Sequence, residues 1–446
     1  MKNNYFKANA LRSLGVLLLF NMGAFAQEER HNGVIRCHST VYEQHLKEKN
    51  QGRSTTAEFE NWIANKIESV KNKVGKEAKA TVIKIPVVVH VIHNGDVYGT
   101  GENIKDEQVM SQIQVMNEDY RRMLNTPGYN TNAVGADVEV EFCLAKTDPK
   151  GKLTNGIDRV NLGIDAFQEA DVENNLKPNT IWNPEEYLNM WTCRFTGDLD
   201  GVLGYAQFPS DSGLGGLDAD GGLATTDGVI AAYDTFGSST IFPGGTYNAP
   251  YDKGRTMTHE VGHWLGLRHI WGDGTSCTTN TDYCNDTPVA KAENYNCPTG
   301  KDSCASKPGK DMIENYMDYT DDTCMNVFTN DQKTRIRTVL SVSPRRKNLG
   351  SSTKCSVPLA SEEFGYLNSI SIYPNPTATE LYISMPENFE LPDKISITNA
   401  MGQIMVVKET VSNSDLKISV DNFQNGIYFL KIDKDGKNIV LKFVKN

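Results

Sequence analysis

The stretch HEVGHWLGLRH, His259 to His269, constrains this chain more than any other part of it. On an α-helix His259 and His263 project from one face, one turn apart. Glu260 follows the first histidine and lies beside the same spot without having to bind there. Gly266 stands where a helix commonly ends, because glycine enters the left-handed C-cap conformation without steric cost. Beyond that turn the chain can bring His269 back as a third imidazole. Three imidazoles leave one tetrahedral position open, the arrangement of a catalytic rather than a structural zinc site. Two histidines four apart also occur on ordinary core helices, and a bare HExxH is a weak signal. The added glycine and third histidine, which complete HExxHxxGxxH, make the zinc reading specific.

At 446 residues the chain is long enough for two or three domains. Lys and Arg number 45 against 56 Asp and Glu, with a net charge of −11 and no strong basic run, so nucleic acid is not an expected partner. Lys2, Lys7 and Arg12 precede LGVLLLFNMGAFA, which closes on Ala24-Phe25-Ala26. That is the pattern of an export signal, expected over residues 1–26. The apolar run is short for a bilayer span and no later segment is longer, so no transmembrane span is expected. Export makes the 9 cysteines informative, because disulfides persist outside the cytoplasm. Cys277, Cys284, Cys297, Cys304 and Cys324 cluster just after the histidine motif, while Cys143, Cys193 and Cys355 are scattered. Cys37 stands alone near the mature N-terminus, and an odd total leaves at least one thiol outside a disulfide framework.

From Gln27 to about Ala80 the chain is polar, with one convincing helix. Thr55 and Glu58 read as a capping box, and Phe59, Trp62, Ile63, Ile67 and Val70 form an apolar stripe. IKIPVVVHVIH (Ile83 to His93) reads as a buried strand and Asp106 to Leu124 as an amphipathic helix. VEVEFCLA (Val138 to Ala145) alternates as a half-buried strand does, and Gly228 to Phe236 reads as strand after a glycine-rich loop at 211–222. Strands and helices leading to a metal-bearing helix predict an α+β catalytic domain of metzincin type, with a twisted sheet and an irregular cysteine-rich lower subdomain. From about Ser343 composition shifts to a linker-like stretch. Short alternating strands then follow at regular spacing, the pattern of a small all-β sandwich.

The segment NYMDYTDDTC (Asn315 to Cys324) carries the reading to a family. Together with HEVGHWLGLRHIWGDG, Asp286-Thr287-Pro288, the following FTNDQ, and IPVVVHVIH and EFCLA upstream, it resembles the cytophagalysin-like branch of the pappalysin metalloproteases over most of residues 83–341. The resemblance implies an endopeptidase with its cleft between two subdomains. His259, His263 and His269 would then bind zinc, Glu260 would act as general base, Met317 would form the apolar floor, and Tyr319 would steady the tetrahedral intermediate. It also implies disulfides Cys277–Cys304 and Cys297–Cys324, and a calcium site using Asp282, Asp286 and Thr287, against which an ordinary Asx turn is the plain alternative. Arginine-specific members carry an acid just before the last paired cysteine. Thr323 stands there in this chain, with Asp321 and Asp322 nearby, which puts a basic preference in doubt. Cys37, in GVIRCHST, matches a pro-region segment that some members use as a cysteine switch, its thiolate occupying the position that water needs. The C-terminal YPNPTATELYI, ITNAMGQIM and GIYFLKI resemble type IX secretion sorting domains, whose partner is the outer-membrane secretion machinery.

The expected organisation is a signal peptide at 1–26, a pro-segment at 27–82, a catalytic domain at 83–342, a linker at 343–365 and a sorting domain at 366–446. The expected protein is a secreted or cell-surface zinc endopeptidase, made latent and acting on proteins or peptides. The sequence does not show where the chain is cut; the Lys/Arg-bearing region before Ile83 and the linker near Arg345 are the candidate sites. A surface adhesin on an inactive protease scaffold is the alternative from another class.

Overall fold

Ile83–His93 is apolar at almost every position because both faces of the strand it forms, β1, are covered, and residues from Ile85 to Ile92 are buried. In the computed structural model, which describes residues 30–50, 52–73, 81–209, 224–279, 281–357, 370–385, 391–434 and 437–446, this strand is the centre of a six-stranded sheet. β2 (Val140–Leu144) runs parallel to its first half and β3 (Ile157–Asn161) to its second. β4 (Leu188–Cys193) pairs in parallel along its other edge. The sheet ends with β5 (Gly204–Ala206), an antiparallel edge strand on β6 (Val229–Ala232), which itself runs parallel to β4.

Two helices precede the sheet, α1 (Ser39–Lys49) and α2 (Thr56–Lys73). The first was not expected from the sequence. The second is capped as expected, Thr55 Oγ1 accepting from the Glu58 amide while Glu58 reaches back to the Thr55 amide. Helix α3 (Asp106–Tyr120) lays Val109, Ile113, Met116 and Tyr120 against one sheet face. It stops at Tyr120 rather than Leu124, because Arg122 and Asn125 turn to left-handed φ values of 43° and 64°. On the opposite face the helical run of α4 (Glu169–Asp171), a π turn (Val172–Leu176) and α5 (Lys177–Thr180) forms a second core with Trp191, Ile230 and Tyr205. Ile35, Tyr42 and Leu46 from the polar N-terminal segment complete that core. The strand expected to reach Phe236 ends at Ala232, where the chain enters a 3₁₀ turn (Tyr233–Thr235).

Helix α6 (Arg255–Trp264) holds the first two histidines and packs with Met257, Val261 and Trp264 into the same core as α3. Helix α7 (Asn330–Val342) receives α2, whose Phe59 and Ile63 bury against Val339. Two buried anchors of this kind contribute about 3–6 kcal/mol together relative to exposure.

The expected linker, 343–365, is corrected over its first part. Helix α8 (Arg346–Leu349) belongs to the catalytic unit, and Arg345 and Arg346 are buried with Asp227, the Arg346 Nη1 to Asp227 Oδ2 distance being 2.6 Å. The guanidinium of Arg346 also lies 3.9 Å from the Trp264 ring centroid. Cys355 closes a disulfide with Cys143 on β2, so the chain is tied back to the sheet through that residue. A buried Arg345 is not an accessible cleavage point in this fold.

The C-terminal strands form two antiparallel sheets. β7 (Ser371–Tyr373), β8 (Glu380–Ser384) and β11 (Lys417–Ser419) make one, in the order β11-β8-β7. β9 (Lys394–Asn399), β10 (Ile404–Lys408), β12 (Gly426–Lys434) and β13 (Lys437–Lys445) make the other, in the order β10-β9-β12-β13. Leu381, Ile383, Ile395, Ile397, Leu430, Ile432 and Phe443, at alternating positions, form the core of this sandwich. No described helix is long and apolar enough to cross a membrane. The expected signal peptide and the glycine-rich loop at 211–222 lie outside the described residues.

Candidate active site

Helix α6 begins at Gly254, whose φ of 84° suits glycine, and Asp322 caps it by accepting from the amides of Lys253 and Arg255. Gly266, with φ of 89°, ends the helical turn as the sequence predicted, and His269 returns to the site. The three imidazoles are at most 1 % exposed. His259 Nδ1 meets Tyr316 O at 2.7 Å, His263 Nδ1 meets Leu267 O at 2.9 Å, and His269 Nδ1 meets Asp273 Oδ1. Each Nδ1 faces an acceptor and so carries the proton, which leaves every Nε2 as a bare lone pair. Those three Nε2 atoms converge, His263 lying 3.1 Å from His259 and 3.0 Å from His269. Lone pairs this close repel one another unless a cation sits among them, so the residues fit a metal ion. Burial, and then the neighbouring imidazoles, push His259 and His263 well below their ordinary values, which keeps them neutral as ligands must be.

Met317 is fully buried against the helix that carries the histidines. A Cβ added at Gly262 would come within 2.5 Å of Met317 Sδ, so the motif glycine is what lets the methionine approach. Tyr319 packs edge-on to His269 at 4.9 Å between ring centroids, and its hydroxyl lies 3.5 Å from Cys37 O. Burial lifts the Glu260 carboxyl to about 7, against bonds from Ser39 and Cys37 that pull it down.

The segment around Cys37 runs in parallel beside residues 201–204, at the edge that leads into β5, through an isolated bridge between Ile35 and Val202. Ile35 N bonds Gly201 O, Leu203 N bonds Ile35 O, and His38 N bonds Gly204 O, at 2.9–3.0 Å. This brings Cys37 into one group with His259, His263 and His269, their ligand atoms all within 4.8 Å of one another. Cys37 Sγ also lies 3.3 Å from Glu260 Oε2, and Ser39 Oγ donates to the same oxygen at 2.7 Å.

Arg36 enters a neighbouring recess. Its guanidinium reaches Asp322 Oδ1 at 3.1 Å and Thr256 Oγ1 at 2.5 Å, lies over the Tyr251 ring, and is fully buried together with Asp322. Thr323 faces outward at the rim, 3.9 Å from Cys297 Sγ, whereas Asp322 turns inward. Asp322, Thr323 and Met325 border a cavity of about 250 Å³ with Lys253 and Arg255.

The disulfides Cys277–Cys304 and Cys297–Cys324 form as the resemblance implies, and Cys37, Cys193 and Cys284 are free and buried. Asp282 and Thr287 bond each other at 2.7 Å, and Asp286 Oδ2 accepts from the Asp331 amide. Sequence reasoning missed Ser39, Arg36 and Asp273, and named Asp322 only as a neighbour of Thr323. Of these, Asp273 alone had a local signal, four residues after His269.

Residues 171–341 match the family described as Pregnancy-associated plasma protein-A, and residues 371–446 match the one described as Secretion system C-terminal sorting domain. An extracellular metalloprotease of Colletotrichum graminicola is 32% identical over 259 residues, 58% of this chain and 76% of that protein. One from Coccidioides posadasii is 34% identical over 57% of this chain and 75% of its own length. Among solved structures, Tannerella forsythia mature mirolysin in complex with a cleaved peptide is similar at 42% identity and a TM-score of 0.52, over 61% of this chain and 96% of its own. A Tannerella forsythia promirolysin mutant is similar at 36% identity and a TM-score of 0.56, over 71% of this chain and 97% of its own.

A twisted mixed sheet, a helix bearing two of three convergent imidazoles and a disulfide-bonded lower subdomain define a metalloprotease, followed here by an all-β sandwich. The chain belongs to the pappalysin family and carries a type IX secretion sorting domain, so it is exported to the cell surface or beyond.

Proposed function

We propose that this chain is a zinc-dependent endopeptidase held latent by its own N-terminal segment, residues 27–82, ahead of a catalytic domain from 83. The observation that carries the reading is the convergence of the three Nε2 atoms beside Glu260, with Cys37 facing them. His259, His263 and His269 would hold the zinc, and Cys37 would take the fourth position in the latent form. Zinc when bound supplies Lewis acidity, enough to bring the pKa of water from about 15.7 to about 7.

The chain's own residues supply the rest. Glu260 Oε2 takes a proton from the attacking water and passes it to the leaving amine. The Tyr319 hydroxyl donates to the carbonyl oxygen as it gains charge. β5 offers its edge to the extended substrate backbone once residues 35–39 leave it. Ser39 and Cys37 block this by occupying Glu260.

The Arg36–Asp322 pair supports a preference for basic residues. When Arg36 leaves, an inward-facing carboxylate remains, and a substrate guanidinium or ammonium compensates it. The family resemblance assigns the position just before the last paired cysteine, Thr323, to the residue after the scissile bond, and Asp322 beside it is the carboxylate that faces inward. Asp322 thus takes the role first weighed at Thr323. Calcium at Asp282, Asp286 and Thr287 remains a proposal carried by the resemblance alone.

The test is Glu260→Ala in the processed protein, with casein cleavage and bound zinc measured together. Zinc retained with proteolysis abolished is the expected result. Full activity in that variant would sink the mechanism.

A further inference from the structure

Among the described residues, a second group of side chains is spaced to share a metal ion, and it lies outside the catalytic group. His38 immediately precedes α1 and His45 lies two turns along it, and both turn toward Glu169 at the start of α4. His38 Nε2 is 3.0 Å from Glu169 Oε2, and His45 Nδ1 is 2.8 Å from both Glu169 oxygens. These separations are close to those from His263 Nε2 to the Nε2 atoms of His259 and His269, which are 3.1 and 3.0 Å. The side chains of His38 and Glu169 are 7% and 6% exposed while that of His45 is 34% exposed, so the cluster is built into the protein yet has one side open to solvent. Two imidazoles and a carboxylate with an open position form a donor set that binds zinc.

We propose that His38, His45 and Glu169 form a second transition-metal site, of zinc type, that exists only while the N-terminal segment is docked. Two of its three ligands come from that segment and the third from the catalytic domain. An ion there ties α1 to the helical run at 169–180. Tyr42 of α1 bonds Glu173 on the same run, so the ion joins a contact already made. The inference rests on the reading of residues 27–82 as a latency segment. By mass action, free zinc at about 100 times its dissociation constant suppresses release of the segment about 100-fold, because the ion must leave first.

The experiment uses the intact precursor in a Glu260→Gln background, so that it does not cut itself, with zinc counted by elemental mass spectrometry after equilibration with buffered zinc. Two zinc ions per chain are expected, falling to one in His45→Ala and in Glu169→Gln. His45 is part-exposed and Gln keeps the shape of Glu, so both variants should fold, and circular dichroism checks that they do. One ion in the parent, or two retained in both variants, overturns the proposal. In the precursor with Glu260 intact, added zinc should lengthen the processing lag, and His45→Ala should lose at least ten-fold of that sensitivity. An equal response to zinc in both proteins overturns the locking role. If the intact precursor, segment docked, already cleaves casein at the rate of processed enzyme, the latency reading fails while the zinc count still reads the site.

Discussion

Asp322→Asn separates a specificity role from a structural one. Asp322 has two duties in the latent protein. Its Oδ2 accepts from the amides of Lys253 at 2.8 Å and Arg255 at 3.2 Å, and its Oδ1 meets Arg36 at 3.1 Å. Asparagine keeps an oxygen for the two amides and presents a neutral NH₂ to the recess, so the start of α6 survives while the charge is lost. Removing one partner of a buried ion pair costs about 3–5 kcal/mol. Water reaches the recess once Arg36 has left, which favours the low end, about 3 kcal/mol. At about 1.4 kcal/mol per tenfold, this is about a 100-fold loss in kcat/KM for a substrate with arginine in the recess. The assay compares two peptides that differ only in arginine or glutamine after the scissile bond. The wild type should favour arginine, and the variant should lose about two decades of that ratio while cleaving the glutamine peptide within about threefold of wild type. An unchanged ratio would show that Asp322 serves only to cap the helix. Equal loss on both peptides would show that the variant disturbs the site as a whole.

Other outcomes follow from the same geometry. Cys37→Ala in the precursor should shorten the lag before activity, and Cys37→Ala with Ser39→Ala should shorten it further, because Ser39 holds Glu260 independently; time courses of peptide cleavage decide this. A strong chelator should abolish proteolysis and added zinc should restore it, whereas rescue by calcium alone would contradict the zinc reading. Stability should fall in acid. Burial raises the Asp227 carboxyl, but Arg346 and Arg345 outweigh it and hold it at about 2. A depressed carboxylate contributes its full stability above its unfolded value near about 4 and loses it as pH falls through about 2, an amount of about 2–3 kcal/mol. Denaturant titrations of the wild type should therefore steepen in pH dependence across that window, and Asp227→Asn should flatten the slope.

The active-site motif was legible because its parts lie within one helix and one turn. Four-residue spacing sets His259 and His263 on a common face, and Gly266 takes the positive φ that returns His269. The sandwich was legible for the same reason, since its strands alternate every second residue. The docking of the N-terminal segment was half legible. Cys37 was singled out by its isolation and by a family resemblance, but α1 was missed: its apolar face is narrow, and it gains its burial from Tyr42 and Leu46 entering a core built by residues 92–230. The linker was misjudged because Arg345 and Arg346 look solvent-exposed by composition, and only Asp227 explains their burial.

The sequence by itself determined the helix that carries two histidines, the carboxylate between them and the export sorting domain, because each is written in spacing over a few residues. Tertiary structure alone decided which groups face them. Arg36 meets Asp322 across 286 positions, and Cys37 meets Glu260 across 223. The disulfide between Cys143 and Cys355 spans 212. At such separations no local periodicity relates the partners. Their meeting depends on the edge of β5 being open to the N-terminal segment and on the sheet that carries it.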